Sequence, residues 1–343
     1  MNNSKYKPDY SLLSKYRTVL MGVVIIFIMF CHIDVAQEHN GVSETSLARA
    51  LHIFTVGVDV FMFLSGIGLY YSYTKKQQTY GQFEKKRLAR IIPSYLLIGG
   101  LTYLIYDLII NQRGIGQFFS DLLFISWFRG DSTKYWYIFA IVVFYLLFPV
   151  LYRFIHGGKN SLLKTILFSI CWWALVEVLC KFIPNIEILR IALARLPIFV
   201  IGIYFGNLAY EKKEIRKNIA SILLLMGYVL FVGIKTPLLK SVAGYLYYPV
   251  RALLGISIMT TIIILMELIE KKAGGLYNGI GKVLSWFGGL TLELYLLHQS
   301  YMILFEYPYK LTTYPIAAFI LPTITAGVIY LIRKKFISAR KSA

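Results

Sequence analysis

This chain is short of charge and nearly without cysteine. Charged residues make up 15% of its 343 residues, and the acidic ones are scarcer still: 17 Asp and Glu stand against 36 Lys and Arg. A soluble domain usually carries about 25% charged residues, so an ordinary water-facing surface is excluded. Cys31, Cys171 and Cys180 are the only cysteines. They cannot build a disulfide scaffold, and no Cys/His cluster has metal-ligand spacing, so no metal is expected and the three read as buried, reduced thiols. Linkers, low-complexity tracts and internal repeats are also missing. The reading is of one domain over residues 1–343.

Hydrophobic residues, by contrast, reach 57%, and the mean hydropathy is +0.63. The net charge of +19 would point to nucleic acid on a soluble protein. On this composition it points to basic loops beside a lipid bilayer, with no nucleic-acid partner. A helix crosses the hydrocarbon core with roughly 20 mostly apolar residues. Ten such stretches can be marked: 18–36, 51–73, 92–110, 135–155, 161–181, 190–209, 218–235, 249–269, 283–304 and 314–332. The segment 117–128 is too short to cross and reads as a half-buried helix at one surface. Ten crossings place both ends on one side, and that side then holds 25 of the 36 basic residues. The excess of Lys and Arg puts both termini in the cytoplasm, with short tails at 1–16 and 334–343. The first apolar run is too long for a signal peptide and lacks a small-residue cleavage site, so it reads as retained. The predicted fold class is all-α: a polytopic protein of the cell membrane with about ten transmembrane helices around a polar cavity.

Ionisable groups inside such spans are costly, at least about 2.5–3.5 kcal/mol each, and normally face a bundle interior or a wet cavity. Here they are His32, Asp34, Asp59, Glu177, Arg195, Arg251, Glu293 and His298, with Arg190 and Glu267 near span ends. So many argue for catalysis or transport rather than anchoring. His32 is the most informative. Arg17 lies fifteen residues earlier on the same helix, about 22 Å down the axis and roughly 60° round. A basic group low and an imidazole high suit a long ligand held at two points, and imidazole is the usual general base near neutral pH. A packed, hydrogen-bonded His32 is an equal alternative on these residues. Asp34 points to the opposite face, so Asp59 and Glu293, from other helices, are better candidates to orient the ring. In FEKKRLARIIP, Arg87 and Arg90 share a helix face, a spacing suited to phosphates or simply to the cytoplasmic charge excess. In GGLTLELYLLHQSY, Glu293, Tyr295 and His298 point in more than one direction. Trp136 and Tyr137 open a span and suit an aromatic belt. Gly57, Gly66, Gly68, Gly202, Gly206, Gly288 and Gly289 read mainly as close helix contacts.

Taken together, these pieces resemble the acyltransferase type 3 family of multi-pass membrane acyltransferases. LMGVVIIFIMFCH is similar to the first-helix motif ending in His. GVDVFMFLSG resembles the second-helix motif, and FEKKRLARIIPSY the cytoplasmic Arg-x-x-Arg segment. WYIFAIVVFYLLFPVL, RLPIFVIGIYFG and LTLELYLLH follow in family order, so the resemblance runs from about Tyr16 to Tyr330. One position departs: the family's first-helix Arg, eleven residues before His, is Met21 here. Arg17, one turn earlier, is the substitute expected.

The resemblance implies transfer of an acyl group, usually acetyl, from cytoplasmic acyl-CoA to a hydroxyl of a sugar or other cell-envelope acceptor. Acyl-CoA would be a co-substrate, with a glycan or glycolipid acceptor and the bilayer as the other partners; nothing in the residues specifies an oligomeric state. His32 would act as base with Asp59 and Glu293 behind it. Arg87, Arg90 and Arg17 would bind the CoA phosphates. Trp136, Arg195, Tyr295 and His298 would shape the substrate site or stabilise the oxyanion. A transporter or flippase of a small polar or acylated molecule is the rival expectation, and a lapsed enzyme acting as a sensor a third.

Overall fold

The computed structural model describes residues 7–39, 56–75, 79–131, 133–156, 159–183, 185–234, 236 and 242–342, with the side chains at 34–39, 307–309 and 336–342 left out. The start of the expected span 51–73 and the Asp34 side chain lie outside the described residues. Among the described residues the chain is all helical apart from one isolated bridge, Asp9 with Glu214. The helices are α1 (Ser11–Lys15), α2 (Arg17–His39), α3 (Gly57–Lys75), α4 (Tyr80–Tyr103, continued by a π-helical stretch Leu104–Ile110), α5 (Ile115–Leu122), α6 (Ile125–Phe128), α7 (Trp136–Ile155), α8 (Ser161–Phe182), α9 (Glu187–Leu193), α10 (Leu196–Tyr210), α11 (Lys217–Gly233), α12 (Ala243–Lys272), α13 (Gly274–Gly289), α14 (Thr291–Tyr309) and α15 (Pro315–Ser342).

Six described helical stretches are long and apolar enough to cross a membrane, seven if the bent pair α13–α14 counts as one crossing. The chain is therefore a multi-pass membrane protein. Helices α2 and α11 carry shorter apolar runs, at 17–33 and 217–233. Many large apolar side chains face outward, Phe182 and Ile316 among them. That is the ordinary state of a lipid-facing surface and removes the need for the charged exterior the composition lacks. The cysteines follow the same logic: Cys171 is exposed and Cys31 and Cys180 are half-buried, so the expectation of three buried thiols fails.

Packing relies on missing side chains. A Cβ on Gly22 would strike the Leu284 carbonyl, and one on Gly288 the Thr18 carbonyl, so α2 and α13 touch backbone to backbone. Without a hydrophobic drive between helices in lipid, such close approach is what holds them. The expected single span 283–304 is two helices, α13 and α14, bent by 67° at Leu290. Gly288 is locked against α2 by that contact, while α14 turns into the centre, buried at every position from Glu293 to Ser300. The surface segment 117–128 falls within two short helices, α5 and α6, rather than one.

A second break lies between α9 and α10. Pro197 has no N–H to give the Leu193 carbonyl, which would be orphaned in lipid. The Trp172 indole of α8 donates to it at 2.8 Å, and the Trp173 indole donates to the Ala194 carbonyl at 2.9 Å. The break places Arg195 at the N-cap of α10, facing the core. Outside the spans, Lys15 meets Glu267 at 2.8 Å and Glu270 at 2.7 Å, tying α1 to α12. Burial pulls the Lys15 ammonium down, but its contacts with Glu267, Glu270 and Tyr16 outweigh burial and hold its pKa above the ordinary lysine value.

Candidate active site

Helix α2 carries His32 near one end and Arg17 at the other, and each sits in its own cluster. At the upper end the His32 ring stacks on His298 of α14, with centroids 5.0 Å apart. His32 Nδ1 is 2.8 Å from His298 Nε2. His298 Nδ1 lies 2.9 Å from the Leu294 carbonyl, which can only accept. The proton of His298 therefore sits on Nδ1, its Nε2 is an acceptor, and His32 Nδ1–H donates to it. The remaining lone pair of the His32 ring is on Nε2. The Gln299 amide nitrogen donates to the same His298 Nε2 at 2.9 Å; it also lies 3.0 Å from His32 Nδ1, which as a donor it cannot bond.

Neither expected carboxylate is hydrogen-bonded to His32. Asp59 is taken by two arginines, with Arg195 Nε at 3.2 Å and Arg251 Nη2 at 2.9 Å, and all three side chains are at most 6% exposed. Glu293 lies 3.3 Å from Arg333 of α15. A carboxylate between two buried guanidinium groups is already fully used, so the group that holds the His32 tautomer is an imidazole. Gln299 carried no signal of its own in the sequence beyond its place next to His298.

At the lower end, a capping box between Thr79 and Gln82 starts α4 and sets the face on which Arg87 and Arg90 stand. Arg87 Nη2 donates to Ser72 Oγ at 2.5 Å, and its guanidinium lies over the Phe83 ring. Arg17 is within electrostatic range of both arginines and of the phenols of Tyr137 and Tyr145. Its Nε donates to the Leu64 carbonyl at 3.2 Å, and its guanidinium rests directly on the α3 backbone where Gly68 has no Cβ; one there would lie 2.6 Å from Nε. Met21, at the family's arginine position, packs as a half-buried apolar side chain. So three guanidinium groups lie within electrostatic range of one another, with Glu84 the acid beside Arg87. Arg90 is the exposed member.

A line of rings joins the two clusters. Tyr137 lies near Ser65 and within electrostatic range of Arg17 and Arg90. Its ring is 5.0 Å from that of Tyr295, which is 5.5 Å from that of His298. The Tyr295 hydroxyl donates to the Lys134 carbonyl at 3.0 Å. Beside the Asp59 ion pair opens a cleft of about 660 Å³, lined by Arg190, Tyr247, Tyr248 and Arg251 among others. Arg195 faces both Trp136, at 4.8 Å from the ring centroid, and Tyr248, at 5.3 Å.

A family model described as an acyltransferase domain matches residues 18–333, nearly the whole chain. The chain belongs to the acyltransferase type 3 family. No curated protein and no solved structure matches it. Family membership makes it a membrane acyltransferase, and the matched stretch includes every residue of the two clusters except Arg17, which stands one position before it. Of the site residues expected from sequence, the fold brings His32 together with His298 and Tyr295, Arg17 with Arg87 and Arg90, and Asp59 with Arg195, beside which Trp136 stacks. It leaves Glu293 apart, against Arg333. Tyr137, read as an interfacial aromatic, stands between the two clusters.

Proposed function

We propose that this protein is an O-acyltransferase of the cell membrane that moves an acyl group, acetyl foremost, from cytoplasmic acyl-CoA to a hydroxyl of a sugar-containing envelope acceptor. The observation that carries the reading is that one helix, α2, presents a guanidinium cluster at one end and a tautomer-fixed imidazole pair at the other. Arg17, Arg87 and Arg90 repel one another unless an anion sits among them, and the CoA phosphates are such an anion. The thin pantetheine arm then runs along Tyr137 and Tyr295 toward His32. An acceptor sugar approaches from the opposite side, where the tyrosine- and arginine-lined cleft suits a glycan.

In this mechanism His32 Nε2 takes the proton of the acceptor hydroxyl, whose oxygen attacks the thioester carbonyl. The His298 Nε2 acceptor steadies the imidazolium that forms. The tetrahedral oxyanion collapses, the C–S bond breaks, and the CoA thiolate leaves with the proton from His32. The Tyr295 proton is committed to the Lys134 carbonyl, and Arg195 is ion-paired with Asp59 and donates to the Ile191 carbonyl, so those two shape the site rather than bind the oxyanion. Both termini are cytoplasmic in this reading, and the bundle makes ten crossings: α2, α3, α4, α7, α8, α9–α10, α11, α12, α13–α14 and α15.

The test is CoA release. Purified protein in liposomes, given acetyl-CoA and envelope glycan, is expected to liberate thiol in step with an added acetyl mass on the glycan. His32→Ala should cut both by about a hundredfold or more. Thiol release that continues unchanged in that variant would overturn the assignment.

A further inference from the structure

Away from the acyl-transfer site, helices α11 and α12 diverge on the lipid-facing surface to leave a groove of about 520 Å³. Its walls are aliphatic: Leu224 and Leu225 of α11 face Leu254, Ile258 and Leu265 of α12. On α11 the lining runs from Lys217 to Tyr228 and on α12 from Leu265 back to Leu254. Each spans twelve residues, about 16 Å from first to last along the helix. That is one leaflet of a hydrocarbon core about 30 Å thick. The deep end is closed where Gly227 lets the two backbones meet, a Cβ there lying 3.2 Å from Leu254 Cα. The shallow end opens at Lys217.

Lys217 also lines a second, contiguous pocket of about 610 Å³, with Lys7, Arg216 and Glu214. The N-terminal segment is stitched to this spot by Ile215 N–H donating to the Pro8 carbonyl at 2.7 Å and Tyr10 N–H to the Lys213 carbonyl at 2.9 Å. Glu214 is paired with Lys7 at 3.2 Å. Arg216 and Lys217 form no ion pair among the described residues, so the pocket keeps two uncompensated positive charges directly above a dry, leaflet-deep groove.

We propose that this composite site binds an anionic phospholipid, with one acyl chain in the α11–α12 groove and the phosphate between Arg216 and Lys217. A zwitterionic lipid offers the same chain but carries its own cation to the pocket, so the charge selects an acidic headgroup. A second copy of the chain would fill the groove but leave the two cations without a partner.

The test uses the full-length protein in a neutral detergent, with phosphatidylglycerol and phosphatidylcholine as probes, read by native mass spectrometry and thermal unfolding. Phosphatidylglycerol is expected to stay bound and raise the unfolding temperature, and phosphatidylcholine to do neither. Arg216→Gln with Lys217→Gln should weaken phosphatidylglycerol about thirtyfold, the worth of two basic contacts to an acidic lipid. Ser221→Trp, which fills the groove and leaves the charges, should abolish retention as well. Equal retention of the two lipids, an unchanged response in the double variant, the same stabilisation by inorganic phosphate alone, or a dimer that Ser221→Trp dissociates would each overturn the proposal.

Discussion

The contact between His32 and His298 makes the sharpest quantitative demand on the proposed mechanism. Replacing His298 by Ala removes the acceptor 2.8 Å from His32 Nδ1. A buried donor left without its acceptor costs about 1–3 kcal/mol. The cost falls mainly on the transition state, where the ring gains positive charge and the hydrogen bond becomes charge-assisted. At 1.36 kcal/mol per tenfold in rate, kcat should fall about 5- to 150-fold. Gln299 lies 3.0 Å from the same nitrogen and can present its amide oxygen after a flip, which favours the lower half of that range. His32→Ala removes the base itself and should cost about 10²- to 10⁴-fold. CoA release at saturating acetyl-CoA measures both, with KM for the donor expected to stay constant. His298→Gln, which keeps an acceptor, should recover part of the loss. The double variant should be no worse than His32→Ala alone, because His298 acts only through His32. If His298→Ala is as damaging as His32→Ala, or the two losses multiply in the double variant, then His298 works independently and the assigned roles are wrong.

Arg87→Ala removes a charged donor from the anion site and should raise the donor KM by roughly tenfold or more with little change in kcat, measured by the same thiol assay; a lowered kcat at unchanged KM would remove the arginines from CoA binding. Gly68→Leu should act in the same direction, because a side chain there displaces the Arg17 guanidinium; the comparison is its KM against that of Arg17→Ala. Asp59→Ala leaves two buried guanidinium groups uncompensated, a loss of about 3–5 kcal/mol per broken pair, and should show as aggregation on size-exclusion chromatography, which Asp59→Ala with Arg251→Met should relieve in part. The Lys15 contact with α12 contributes below the ordinary lysine pKa and is lost only as pH rises through the elevated one. The unfolding temperature should therefore stay flat from about pH 7 to pH 9.5, while Lys15→Gln lowers it throughout. A fall across that window seen in the wild type and missing from the variant would contradict the pairing.

What was legible in the sequence was whatever one helix carries by itself. Arg17 and His32 share α2, and Arg87 and Arg90 share α4, so spacing alone put each pair in order and the family motif supplied a chemistry for them. What was not legible is how helices meet. Nothing in GVDVFMFLSG says that Asp59 will be taken by Arg195 and Arg251, more than a hundred residues away, rather than by His32. Nothing in LHQSY says that His298 and Gln299 will close on His32. The bend at Leu290 was hidden for another reason. Hydropathy averages along the chain and is blind to direction, so an apolar stretch that turns by 67° scores as one span. The glycines beside it did carry the signal: Gly288 was read as a close contact, and it is the contact against Thr18 that fixes where α13 stops. The break before α10 was marked by Pro197, but the two indoles that make it tolerable come from α8.

The rings between the clusters bear on the choice between transfer and transport. A transporter has to let its whole cargo past the midplane, so its path must widen by the cargo's full cross-section on each cycle. Here Tyr137 and Tyr295 stand between Arg17 and His298, both under 9% exposed, with their rings 5.0 Å apart. Tyr295 is further pinned through its hydroxyl to the Lys134 carbonyl. Moving a sugar past them would part the two rings and break that hydrogen bond inside the membrane, where no water replaces it. The proposed acyl-thioester would need much less, since only a narrow chain has to lie along the rings. A packed aromatic middle between an arginine cluster and an imidazole pair therefore favours the proposed transfer of an acyl group over the passage of a whole cargo.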